Sequence, residues 1–141
     1  MKRNMLVPIT LLLMILVTAC THYSSTPISP KEDSMVINIT NNTDFELYGV
    51  QVQVGNHSVT GVNADSSKIE KGETLSFELL QEDIALTGNV EVKVEILENV
   101  TSHKSVPINQ KVTLELDPNN AVFYKLTGES IREAKLSRIK E

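Results

Sequence analysis

Few side chains in this chain have the chemistry of a reacting group, and they are scattered. There is one cysteine, Cys20, and three histidines, His22, His57 and His103. No two histidines have the His-x-x-x-His spacing that holds zinc from one helix face. His57 follows Gly55-Asn56 and His103 follows Thr101-Ser102, both turn sequences. No serine stands in Gly-x-Ser-x-Gly, and the glycines are spread over turns rather than gathered into a phosphate-cradling loop. Carboxylates pair at Glu32-Asp33 and Glu82-Asp83. Asn42-Thr43-Asp44-Phe45-Glu46 puts oxygens at alternate positions, a partial likeness to a calcium loop. Phe45 and Leu47 make the same run read as a strand. Catalysis needs convergent groups, a nucleophile with a base or an acid with a base. The expectation is therefore no catalytic residue, no metal and no cofactor.

Cys20 has a context of its own. Lys2 and Arg3 make a positive start, and Met5 to Ala19 follows without a charge. A membrane span needs roughly 20 apolar residues, so this run is short for one. A positive start, a short apolar run and small residues before a break are the anatomy of a secretory signal.

The break reads Val17-Thr18-Ala19-Cys20. It resembles the lipobox of bacterial lipoproteins. That resemblance implies a signal peptide over residues 1–19, cleavage between Ala19 and Cys20, and a diacylglyceryl group on the Cys20 thiol. Further acylation of the freed amine, as by palmitate, is also implied. Two or three acyl chains hold a protein on a bilayer where one binds marginally. The implied location is the extracytoplasmic face of a bacterial membrane. With Cys20 taken by lipid, no thiol remains for a disulfide or for catalysis.

Residues 20–33 read as a lipidated cysteine with a tether, rich in Ser, Thr and Pro and poor in groups to bury. From Ser34 the pattern changes to alternation with period two. Met35, Ile37 and Ile39 form one such set, and Val50, Val52 and Val54 another. Leu75, Phe77 and Leu79 repeat it, as do Val90, Val92, Val94 and Ile96. Val112, Leu114 and Leu116, then Val122, Tyr124 and Leu126, complete the series. Successive strand side chains point to opposite faces, so each run makes one apolar and one polar face. Turn signals separate the runs, at Gly55-Asn56, Lys71-Gly72, Gly88-Asn89 and Asp117 to Asn120 among others. The reading is an all-β, antiparallel β-sandwich of about seven or eight strands over residues 34–141, with a small barrel as the alternative.

Three local features refine it. Apolar parity shifts between Phe45-Leu47 and Tyr48-Val54, and Gly49 at the change predicts a β-bulge. His103 to Pro107 reads as an edge strand, because proline cannot donate to a central ladder. Residues 129–141 fit either a helix opened by a Ser130–Glu133 capping box or a final strand with Ala134 and Leu136 inward.

Phe45-Glu46-Leu47-Tyr48 resembles the Phe-x-Leu-Tyr core of FxLYD domains, small extracellular Ig-like β-sandwiches of prokaryotes. Gly49 stands where that motif has Asp. The resemblance implies an Ig-like fold and transfers no activity.

Downstream of Ala19 the chain holds 11 basic and 18 acidic residues, a formal charge of −7. Such a chain is a poor general binder of nucleic acid or anionic lipid. The sign reverses from Phe123 to Glu141, where five basic residues meet three acidic ones. Four Asn-x-Ser/Thr sequons begin at Asn38, Asn41, Asn56 and Asn99, and a bacterial context reads them as composition. Tyr48, Phe123 and Tyr124 are candidates for a sugar-stacking platform, but neighbours in a strand point opposite ways. The functional expectation is a non-enzymatic accessory lipoprotein with a protein partner at the cell envelope. The alternatives are a binding module for sugar, peptide or cation, and an inhibitor of an extracellular hydrolase.

Overall fold

A computed structural model describes residues 27–102 and 104–140. The expected signal peptide, Ala19, Cys20, His22, the tether up to residue 26, His103 and Glu141 lie outside the described residues.

Alternating β-branched runs become strands because they fit a pleated, half-buried surface. The order is β1 Ser34–Thr43, β2 Gly49–Val54, β3 His57–Val62, β4 Thr74–Leu80, β5 Gly88–Leu97, β6 Ser105–Pro107, β7 Val112–Leu116, β8 Asn120–Gly128 and β9 Lys135–Ile139. They form two sheets. Sheet 1 has the order β4-β1-β8-β9. Sheet 2 has the order β3-β2-β5-β6, with β7 also paired to β5. The all-β sandwich expected from sequence is the observed architecture. It has nine strands among the described residues, and β1 and β8 run parallel within a framework otherwise antiparallel.

The core is the set of inward positions of both sheets. Met35, Ile37, Ile39, Phe77, Leu79, Tyr124 and Leu126 come from sheet 1, and Val50, Val52, Val92, Val94, Ile96 and Leu114 from sheet 2. Burying each such aliphatic side chain stabilises by about 1.5–3 kcal/mol, before the chain entropy that opposes it.

Gly49 does not mark a bulge. The parity shift is real, but its cause is a crossing between sheets. β1 ends at Thr43 in sheet 1, and β2 begins at Gly49 in sheet 2. Leu47 lies between them, buried and bridged to Ile69. Gly49 is required by space: a Cβ there would lie 2.7 Å from Leu97 Cδ1 and from Val62 Cγ1, and 2.9 Å from the Gly61 carbonyl oxygen.

An irregularity of the bulge kind occurs elsewhere. β6 pairs with Glu95–Leu97 of β5, and β7 with Gly88–Val92. Between these ladders only Lys93 and Val94 of β5 oppose Ile108, Asn109, Gln110 and Lys111. The extra residues interrupt the ladder, while Ile108 stays buried and its N–H donates to the Val94 carbonyl at 3.0 Å. Pro107 lies in β6, on the edge of sheet 2, as its missing N–H predicts.

The final segment combines both of its sequence readings. Residues Ile131–Glu133 make a 3-10 turn, with the Ser130 hydroxyl donating to Glu133 Oε2 at 2.9 Å. The chain then enters β9, antiparallel to β8, with Ala134 and Leu136 buried.

Candidate functional site

The crossing from sheet 1 to sheet 2 is fixed by one buried amide. Asn41, 3 % exposed, bonds through every polar group it has. Its N–H donates to the Glu73 carbonyl at 2.8 Å, and its carbonyl accepts from Gly72 N–H at 2.7 Å. Its Nδ2 donates to the Ile69 carbonyl at 2.8 Å. Its Oδ1 accepts from the Thr43 N–H at 3.0 Å and lies 2.8 Å from the Thr43 hydroxyl. These bonds hold the end of β1, the turn before β4 and the start of the crossing together. Buried polar groups so satisfied specify one backbone arrangement.

Phe45 to Tyr48 run along this crossing. Leu47 is buried and Phe45 packs on the core. The Tyr48 hydroxyl donates to Glu46 Oε2 at 3.1 Å, and that bond to a carboxylate holds the phenol above its ordinary pKa. Lys71 Nζ lies 2.6 Å from Asp44 Oδ1. Beside them is an open hollow of about 320 Å³ bounded by Asp44, Glu46, Lys68, Glu70 and Lys71. Two of the alternate oxygens considered for calcium are thus turned to different partners, Asp44 to Lys71 and Glu46 to Tyr48. Among the described residues no group of three or more His, Cys, Asp or Glu gathers where a metal ion would fit.

The three candidate stacking aromatics do not meet. Tyr48 is in the crossing, Tyr124 is buried in the core, and Phe123 is half-buried on the outer face of sheet 1. His57 opens β3, opposite Val54. Asn38 and Asn41 are buried in β1, closed to any modifying enzyme. Asn99 Oδ1 accepts from the Thr101 and Ser102 N–H groups at 3.1 and 2.6 Å. That sequon is an Asx turn.

Sequence reasoning missed two features. The first is Gln110, at the interruption between β6 and β7. Its Nε2 donates to the Leu136 carbonyl at 2.7 Å, and its Oε1 accepts from the Leu136 N–H at 2.9 Å. The side-chain amide thus imitates one residue of a neighbouring strand. It ties the edge of sheet 1 to sheet 2 and occupies polar groups that would otherwise invite another chain. A lone glutamine in a loop carries no sequence signal of this role.

The second feature is a row across the outer face of sheet 1. Register places Ser76, Asn38, Phe123 and Ile139 side by side on β4, β1, β8 and β9. The Ser76 hydroxyl donates to Asn38 Oδ1 at 2.6 Å, while Asn38 Nδ2 is buried without a hydrogen-bond partner. Ile28 N–H reaches Ser76 Oγ at 3.4 Å, so the described chain begins over this face. Ile28 and Ile139 are 47 % and 41 % exposed, two of the three exposed large apolar residues among those described. Parity puts Phe123 outside once Tyr124 is inside; the pairing that aligns the row is not readable from sequence.

No family model matches the chain, and no curated protein matches it. Two solved structures overlay it loosely at 11 % identity. One is a disulfide-locked mutant of intermedilysin with human CD59, at TM-score 0.35 over 75 % of this chain. The other, described as a trapped toxin, has TM-score 0.36 over 77 % of this chain. This chain spans about a quarter of the length of each, 24 % in both cases.

Proposed function

We propose that the protein is a lipid-anchored lipoprotein of the bacterial envelope, whose β-sandwich serves as a non-enzymatic accessory module contacting another envelope protein. The observation that carries this reading is Val17-Thr18-Ala19-Cys20 at the end of a charge-free run that follows Lys2 and Arg3. A thiol at that point is the acceptor for a diacylglyceryl group. The sandwich supports the rest of the reading through how its polar side chains are used. Asn41, Gln110, Asp44, Ser130 and Asn99 are committed to holding turns, crossings and edges. The chain offers binding surfaces in its edge strands: β3 and β6 border sheet 2, where a partner strand can add to the ladder. The similarity of Phe45-Glu46-Leu47-Tyr48 to the FxLYD core is a further reason to place the sandwich outside the cytoplasm.

Crosslinking in cells followed by mass spectrometry tests the partner, comparing the native protein with Cys20→Ser. The proposal expects one recurring envelope protein that is lost with the lipid. Capture of no partner by either form would contradict the accessory role.

A further inference from the structure

We infer that the outer face of β8 and β9 in sheet 1 is the surface the sandwich lays against anionic phospholipid headgroups, leaving sheet 2 turned outward. This rests on the lipid-anchor reading. Three observations converge on it.

The first is where the chain joins the fold. Seven peptide steps separate Cys20 from Pro27, at most about 25 Å of fully extended chain. Ile28 is already bonded to Ser76 on sheet 1's outer face. With strands about 4.8 Å apart, the far end of the row at Ile139 lies only about 14 Å from Ser76. An anchored Cys20 therefore keeps this face within reach of the bilayer.

The second is the apolar content of the face. Ile28 and Ile139 are exposed, and Phe123 is half-buried between Asn38 and Ile139. Phe123 and Ile139 line an open hollow of about 440 Å³, and the register puts Lys125 and Lys135 on the same face. Apolar side chains flanked by basic ones on one face are the composition that settles at a headgroup boundary.

The third is a division of charge between the sheets. On the outer face of sheet 1 Lys125 and Lys135 are exposed, and the strand carboxylate there, Glu78, is ion-paired with Lys31 at 3.4 Å. Glu129 and Glu133 lie in the turn beyond, the latter held by Ser130, and Glu32 and Asp33 are exposed in the chain entering β1. On the outer face of sheet 2, β5 and β7 present Glu91, Glu95 and Glu115 against Lys93 and Lys111, the latter ion-paired with Glu91 at 3.9 Å. The overall negative charge conceals this polarity. Packed sheets lie about 10 Å apart, and the Debye length at physiological salt is about 8 Å. The acidic face is therefore screened from a surface that sheet 1 touches.

The test is lysine footprinting on vesicles of phosphatidylcholine with phosphatidylglycerol. Two forms are used: the protein purified from membranes, and the chain from Cys20 coupled through its one thiol to a maleimide lipid. An amine-reactive reagent is applied, and each lysine is read by mass spectrometry. Modification of Lys125 and Lys135 should slow about fivefold, the factor expected for a basic side chain at an anionic surface, while Lys93 keeps its solution rate. The protection should fade in vesicles of phosphatidylcholine alone. Equal protection of Lys93 and Lys125, or none at either, in the coupled form would overturn the inference. Failure of the membrane-purified protein to hold to vesicles, with the coupled form still oriented, would instead refute the anchor.

Discussion

Gln110 gives the sharpest test of how the two sheets are held together. Gln110→Ala removes both bonds to Leu136 and leaves an N–H and a carbonyl of β9 without their partners. A net hydrogen bond contributes about 1 kcal/mol, and an unsatisfied partly buried group costs about as much again. Leu136 itself is 4 % exposed, so water reaches its backbone poorly. The expected loss is about 2–3 kcal/mol, which lowers the melting temperature by roughly 8–15 °C for a fold of this size. Gln110→Glu sharpens the test. It keeps the shape but points a carboxylate oxygen at the Leu136 carbonyl. A protonated acid can donate there and a carboxylate cannot, so the introduced carboxyl would have its folded-state pKa raised above the ordinary glutamate value of about 4.3. Stability would then be greatest below that value and lost as pH rises through the folded pKa. Thermal melts at pH 4 and pH 7 should show the deficit against wild type widening at pH 7. A melting temperature for Gln110→Ala within about 1 °C of wild type would refute the idea that the amide is a structural strand substitute. Size-exclusion chromatography reads the second consequence, since an uncovered β9 edge should promote self-association.

Other substitutions test particular packing and titration arguments. Gly49→Ala pushes a methyl group into Leu97, Val62 and the Gly61 carbonyl, and should cost about 1–3 kcal/mol by denaturant unfolding. Asn41→Ala strips the amide that ties β1 to the Ile69 carbonyl and should cost about 2–4 kcal/mol, with the m-value unchanged if the fold survives. Tyr124 has its pKa raised, first by burial, so its neutral form is favoured in the fold. The stability it contributes is present below the unfolded pKa of about 10 and lost as pH rises through the folded pKa. Urea midpoints measured from pH 8 to 11 should therefore fall more steeply for wild type than for Tyr124→Phe.

The strands easiest to read were those whose inward positions are all apolar. Val90 to Ile96 and Val112 to Leu116 announce β5 and β7 by alternation alone. β3 did not announce itself. Its inward positions include Gly61, where a Cβ would lie 3.0 Å from the Phe77 ring, so packing across the two sheets demanded a glycine and erased the alternation. The Gly49 parity shift was visible but ambiguous, because a bulge and a crossing between sheets change parity in the same way. The burial of Asn38 and the alignment of Phe123 with Ile139 depend on β1 lying between β4 and β8, and periodicity within a strand says nothing of its neighbours. Gln110 acts at a distance of 26 residues through side-chain atoms alone, which no local pattern encodes. The lipid-acceptor reading has the opposite character: it is carried wholly by local sequence around Cys20.

The most direct measurement is therefore the mass of the N-terminal peptide from protein purified out of bacterial membranes. The account predicts a peptide that begins at Cys20 and carries a diacylglyceryl group, with both features absent from Cys20→Ser. A membrane-purified protein whose Cys20 is a free thiol, or whose chain still begins upstream of Val17, would contradict it.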